Sequence, residues 1–222
     1  TVHKKYDVPS AILAGDGIFT ISQLILGTIQ NNSNHLLQKY NEMVLEICEG
    51  QALDKQFEGE DKLNLDDYIE MVKKKTGALL GACLSLPAII SNQNSEKVNE
   101  LYDAGKSLGV GFQIHDDIFE IFGEESVIGK SLGSDISSNK NTAIAIVAKE
   151  RNKVDWNNLT NQFDGKDLYK IRKFLEENNV KKKVENIADS YFLSAFKSLK
   201  NLEIGEKNDL YGFFKMIQER SY

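Results

Sequence analysis

Apolar residues recur along this chain at every third and fourth position, and strand-like alternation is nearly absent. The pattern predicts an all-α protein. A first helix is expected over "AILAGDGIFTISQLILGTI", capped by Asp7 or Ser10 and stopping at Asn31-Asn32-Ser33. A second runs from about His35 to Glu58, with "GEDKLN" following as a turn. A third starts near Leu65-Asp66 and reaches about Ser91, with a kink expected at Pro87, and a fourth covers about 95–122. "GEESVIGKSLGSDISSNKNT" reads as a Gly- and Ser-rich loop with embedded lysines, followed by a helix near 140–150. Beyond Trp156 the chain is more polar, with helical patterns near 166–177, 180–200 and 206–220. No internal repeat and no separating linker is visible, so residues 1–222 are expected to form one all-helical domain.

Three of these helices carry an apolar seam that turns polar. In the fourth, with Phe112 at zero and about 100° per residue, Asp116, Glu120, Gln113 and Asp117 fall within a stripe of roughly 40° to 140°. Isoleucines, phenylalanines and other hydrophobes fill most of the rest of the circumference. A surface helix shows the reverse proportions, so this one is expected to be largely enclosed, its carboxylates facing a confined space. His115 falls in the apolar arc, where a hydrogen-bonded core histidine is expected rather than a ligand. The second helix has the seam Leu37, Tyr40, Val44, Ile47, Gln51, Asp54, Glu58, apolar and then polar. The third has Tyr68, Val72, Lys75, Leu79, Ala82, Leu86, with a lysine in its middle and Thr76 beside it. Any one of these fits a seam that surfaces at a helix end, or a snorkelling lysine. Three together point to a shared polar site.

Acids at i, i+1 and i+4 repel one another, and a divalent cation would relieve that. Oxygen-only donors favour Mg²⁺ over zinc or copper, and Mg²⁺ commonly keeps water and takes phosphate oxygens beside one or two carboxylates. Lys75, Lys130 and Lys140 would supply positive charge for such a polyanion. A di-iron bundle is disfavoured, because no Glu-x-x-His precedes His3, His35 or His115.

Composition narrows the field further. With 41% hydrophobic and 27% charged residues the chain is not a disordered one. The net charge of −6 offers no footprint for nucleic acid. Cys48 and Cys83 lie in helical apolar patterns without CxxC spacing and are expected to be reduced, packed thiols. No apolar run approaches the roughly 20 residues of a membrane span. The longest, "LLGACLSLPAII", reads as a buried helix, so no transmembrane segment is expected.

"GVGFQIHDDIFEIFG" (109–123), followed by "IGKSLGSDI" and "NKNT", resembles the second aspartate-rich region of the trans-prenyl diphosphate synthases, the farnesyl and geranylgeranyl diphosphate synthases among them. "EGQALD" (49–54) and "KT" (75–76) resemble two further motifs of that family, and "TVHKKYDVPSAILAGD" the segment after its first aspartate-rich motif. The resemblance covers residues 1 to about 145 in the family's order.

It implies an antiparallel helical bundle around a deep central cavity, in a cytoplasmic homodimer. The implied reaction ionises an allylic diphosphate to a carbocation, which isopentenyl diphosphate attacks before a proton is lost. Carried onto this sequence, Asp116 would ligate Mg²⁺, with Asp117 and Glu120 close by. Lys75, Lys130 and Lys140 would hold the allylic diphosphate. Thr76 and Gln113 would turn oxygens toward the cation, Gln51 and Asp54 would support the site, and Phe112 would lie beside the isopentenyl group. The pattern departs from the family at Glu120, where aspartate is commoner. It also lacks the first aspartate-rich motif and its arginines, which are expected just upstream of Thr1. The leading expectation is a short-chain prenyl diphosphate synthase. The alternatives are a non-catalytic partner subunit and, further off, a terpene cyclase, which would not need "GQxxD", "KT" and "FQIxDD" together.

Overall fold

A computed structural model describes residues 1–60, 62–123, 132–165 and 167–220; Lys130 lies outside the described residues. The protein is all-α, with no strand among the described residues. After one turn of helix, Val2–Lys5 (α1), Asp7 caps Val8–Gly27 (α2), its carboxylate accepting from Ser10 N at 2.7 Å. Ser33–Phe57 (α3) follows, entered through Asn32 in the left-handed region. A capping box between Asn64 and Asp67 starts Leu65–Val72 (α4). One π-helical turn, Lys73–Gly77, joins α4 to Ala78–Ile90 (α5).

Asn94 caps the long Ser95–Phe122 (α6) by accepting from Lys97 N. A short helix, Ser134–Ser137 (α7), lies within the stretch expected to be loop. Thr142 then caps Ala143–Asn161 (α8), which outruns its expected end and kinks at Asn152 (φ −157°, ψ 89°). Tyr169–Glu177 (α9), Val180–Asn201 (α10) and Asp209–Gln218 (α11) complete the chain.

The helix α6 is the axis of the bundle. On one side α5 runs antiparallel to it at backbone contact: a Cβ built on Gly109 would lie 2.6 Å from the Gly77 Cα, and one on Gly105 2.5 Å from the Gly81 N. On the other side lies α10, also antiparallel, with Phe192 against Gly111 and Lys181 over the Phe122 ring. Arg172 of α9 donates to the carbonyls of Ile121 and Gly123, tying down the C-terminal end of α6. The main core gathers Leu108, Ile114, Ile144, Leu175, Phe192 and Phe214, all nearly or wholly buried.

The expected seams are rotated in two places. On α3 the buried residues are Leu36, Met43 and Gly50, and Leu37, Tyr40, Val44 and Ile47 are only half-buried flanks. On the third helix the break comes at Lys73–Gly77 rather than at Pro87, which α5 carries within its last turn. A π-turn inserts a residue and rotates everything after it. Tyr68 and Val72 before it are therefore buried, whereas Leu79 after it is 51% exposed. Cys48 and Cys83 are exposed, not packed, lying on outward faces of α3 and α5. His115 packs its ring against Phe119 and Phe192, and burial lowers its pKa, but its Nδ1 makes no hydrogen bond.

The helix α2 is apolar throughout: Asp16 is its one charged residue, and by length and composition alone, though by no uninterrupted apolar run, it is the one helix among the described residues long and apolar enough to cross a membrane. Gly, Ser and Thr break the runs without making the helix polar. None of its residues is buried, and Ile12, Leu13, Ile18, Leu24 and Ile25 are each more than half exposed.

Candidate active site

Four elements converge on a cleft of about 120 Å³. Asp54 and Glu58 come from α3, Tyr68 and Val72 from α4, Lys75 and Thr76 from the π-turn, and Gln113 and Asp117 from α6. Asp135, Lys140 and Thr142 close the far wall. The π-turn explains why two consecutive residues both reach the cleft: widening the helix turns Lys75 and Thr76 toward the same side. Gly50 makes room for it, since a Cβ there would stand 2.3 Å from the Lys75 N. Lys75 Nζ then pairs with Asp54 Oδ2 at 2.6 Å, and Gln51, itself exposed, donates to the same oxygen at 3.3 Å.

A buried hydrogen-bond chain runs behind the lysine. Thr76 Oγ1 donates to Gln113 Oε1 (3.2 Å), and Gln113 Nε2 to Asp117 Oδ1 (3.3 Å). Asp117 Oδ2 also accepts from the Tyr68 hydroxyl at 2.5 Å and from Ala143 N at 3.1 Å. Asp117 is thus a buried anchor that fixes α4, α6 and the start of α8 together. Burial pushes its pKa up to about 7, against the opposing pull of its donors. Burial also raises the Tyr68 hydroxyl, reinforced by the neighbouring Asp117 charge.

Glu120, one turn further on, has a different partner set. Its Oε1 accepts from Ser134 Oγ (2.9 Å) and Asp135 N (3.0 Å), and its Oε2 is buried without a hydrogen bond. Burial raises its pKa as well. Lys140 pairs with Asp135 at 2.5 Å, and that bond raises the lysine. Asp116 is half-exposed and faces Arg220, whose Nη1 stands 3.4 Å from its Oδ1. The same guanidinium lies 5.0 Å over the Phe112 ring.

Lys75, Thr76, Gln113, Asp117, Lys140 and Asp54 therefore share one cleft, whereas Asp116 and Phe112 of α6 do not line it and meet Arg220 instead, and Gln51 acts through Asp54. The three acids of the stripe do not converge. Asp116, Asp117 and Glu120 turn to three separate partners, and among the described residues no three acidic, histidine or cysteine side chains form a metal cluster. Tyr68, Asp135 and Arg220 carry polar contacts that the sequence reading did not assign. Asp135 stands in the quoted "IGKSLGSDI", five residues before Lys140, and could have been found there. Arg220, 104 residues from Asp116, leaves no local signal.

The donor chemistry nevertheless fits Mg²⁺. The stripe offers oxygen alone, and the buried Glu120 Oε2 is an acceptor without a donor. An ion that retains water needs only one or two carboxylates, and Asp116 and Glu120 are the ones whose oxygens are not held by the buried chain.

The family described as Polyprenyl synthetase matches residues 1–187. A geranylgeranyl pyrophosphate synthase of Geoglobus acetivorans is 40% identical over 153 residues, 68% of this chain and 48% of that protein. A geranylgeranyl diphosphate synthase of Sulfolobus acidocaldarius is 31% identical over 96% of this chain and 67% of its own length. The crystal structure of geranylgeranyl pyrophosphate synthetase from Pyrococcus horikoshii superposes with a TM-score of 0.88 at 30% identity, covering 100% of this chain and 70% of that one. The chain spans about half the length of most of the curated relatives it matches. Matched by the family over residues 1–187 and sharing its fold with these proteins, the chain belongs to the polyprenyl synthetase family.

Proposed function

We propose that the protein carrying this chain is a short-chain trans-prenyl diphosphate synthase, condensing an allylic diphosphate with isopentenyl diphosphate. The observation that carries the reading is the π-turn, which brings Lys75 and Thr76 into one cleft with Gln113 and the buried Asp117. Relatives named geranylgeranyl, geranylfarnesyl and short-chain isoprenyl diphosphate synthases support it.

In this reading Asp116 and Glu120 would hold Mg²⁺, which supplies neutralising charge to the departing diphosphate. Lys75 is positioned to exchange Asp54 for a diphosphate oxygen, and Lys140 to exchange Asp135, both at charge-assisted hydrogen-bond range. As the allylic C–O bond breaks, the Thr76 and Gln113 oxygens present negative dipole to the carbocation, while Asp117 holds their chain in place. Phe112, one residue before Gln113 on α6, would offer an apolar face beside the isopentenyl group. Lys130 joins the proposal on family grounds alone, as does a cytoplasmic location. The bare apolar face of α2 supports self-association, and we propose a homodimer built on it.

The test is incubation of the protein with Mg²⁺, isopentenyl diphosphate and either dimethylallyl, geranyl or farnesyl diphosphate, with products read by mass spectrometry. A farnesyl- or geranylgeranyl-length product is expected. Absence of any chain extension would sink the reading.

A further inference from the structure

The residue after Lys140 makes its hydrogen bonds across the molecule rather than within its own loop. Asn141 Nδ2 donates to the carbonyls of Phe57 at 2.8 Å and Glu60 at 2.9 Å, and its Oδ1 accepts from Lys149 Nζ at 2.9 Å. A charged lysine only donates and a carbonyl only accepts, so these partners fix which way the amide points. Both amide hydrogens are thereby spent. Asn141 lines the cleft, yet it has no donor left for a ligand.

What the bonds do is join two walls. Phe57 is the last residue of α3, where a helix leaves carbonyls without intrahelical partners, and Asn141 takes one of them up from 84 residues away. Asp54 and Glu58 stand on the α3 wall of the cleft, Lys140 and Thr142 on the far one. The ion pair of Lys140 supplies no such tie, because Asp135 belongs to the same loop and its carbonyl also holds the Lys140 N. The loop meets α6 through Asp135 N on Glu120 and Ala143 N on Asp117, and it meets the end of α3 through Asn141.

We infer that Asn141 is a positioning residue: it holds the loop against the end of α3, at the separation that lets Lys140 and Lys75 grip one diphosphate from two walls. The inference rests on the proposed function of the cleft, and adds to it a residue that touches no substrate and acts through Lys140.

Calorimetric titration of the chain with inorganic pyrophosphate in the presence of Mg²⁺ tests it. Lys140→Ala should bind about thirtyfold more weakly than wild type, the scale of one charge-assisted hydrogen bond, and Asn141→Ala about fivefold more weakly. Asn141→Leu, which fills the space but makes no hydrogen bond, should match Asn141→Ala. The deciding variant is Lys140→Ala/Asn141→Ala. It should bind no more weakly than Lys140→Ala alone, because nothing is left to position. Circular dichroism should show every variant folded, since Glu60 is exposed and water can replace the lost amide. If Lys140→Ala binds weakly but Asn141→Ala or Asn141→Leu binds like wild type, the inference falls and the reading of the cleft stands. If the loss of Asn141 costs the same factor with and without Lys140, it acts on the fold at large, and the inference is refuted. If wild type shows no affinity for pyrophosphate, or Lys140→Ala keeps all of it, the diphosphate role of Lys140 falls and the inference with it.

Discussion

The wall of the cleft and the helix α2 are built on opposite terms. At the cleft, polar groups sit in a seam that ought to be apolar, and each named wall residue is held by another: Lys75 by Asp54, Gln113 by Thr76, Asp117 by Tyr68 and Ala143 N. On α2, apolar residues sit where water is, with Leu13 71% and Leu24 67% exposed. Buried polarity marks where the molecule does chemistry; exposed apolarity marks where it meets something else. A site so thoroughly cross-braced has little freedom to tolerate change, whereas the outward face of α2 is open to change as far as this chain's own folding is concerned, its inward side alone being tied to Tyr40 through Phe19 and Ser22.

The largest effect expected on the cleft side is chemical. Lys75→Ala should lower turnover by about a hundredfold or more, the scale for losing one preorganised charge donor. The melting temperature should hardly move, because the Lys75–Asp54 pair is about a third exposed and contributes little to folding. A variant that unfolds but retains specific activity would make Lys75 a structural residue and erase the contrast.

Gly50→Ala comes next. In a helix interior alanine is favoured over glycine by up to about 1 kcal/mol. Here the new Cβ would stand 2.3 Å from the Lys75 N, and overpacking against backbone costs about 1–3 kcal/mol. Net destabilisation is expected in a urea melt, together with reduced turnover as the π-turn and its lysine are displaced. Unchanged stability would mean that the π-turn is not pinned by α3.

The pH profile of the metal-free chain should expose the buried anchor. With a folded pKa of about 7 against an ordinary 3.8, Asp117 binds more protons folded than unfolded. Its contribution is therefore most favourable below pH 4 and declines as pH rises toward 7, by at most about 1.4 kcal/mol per unit. Asp117→Asn should flatten the stability profile across that window. A slope that persists in the variant would assign it to other groups, Glu120 first among them.

The smallest effect belongs to α2. Leu13→Ser with Leu24→Ser should change folding stability by less than about 0.5 kcal/mol, as for exposed positions generally. Light scattering of the same variant should show reduced self-association. A loss of several kcal/mol would mean that α2 packs on this chain's own core.

What the sequence revealed of all this followed from local rules. The stripe of α6 is a matter of 100° steps, and Asp7 and Asn64–Asp67 declare their helix starts by residue type. The partners did not follow. Asp116 and Asp117 are neighbours of identical chemistry, yet one faces Arg220 from the last helix's end and the other Tyr68 from α4, and one is half-exposed and the other buried. Nothing within a few residues of either distinguishes them. The π-turn is hidden for a related reason: the residues that leave room for it, Gly50 and Gly109, stand on two other helices far away in the chain. A regular 3.6-residue period carried through it puts Leu79 on the buried seam, where it is 51% exposed, although Ala82 further along the same seam is buried.

The central claim is that this cleft recognises a metal–diphosphate unit rather than either part alone. Pyrophosphate titrated into the chain by calorimetry, with Mg²⁺ and then with EDTA, tests it directly. Binding should be strong only when both are present, since Asp116, Asp117 and Glu120 repel a bare polyanion and the lysines oppose a bare cation. Equal affinity for pyrophosphate with and without Mg²⁺ would contradict the account.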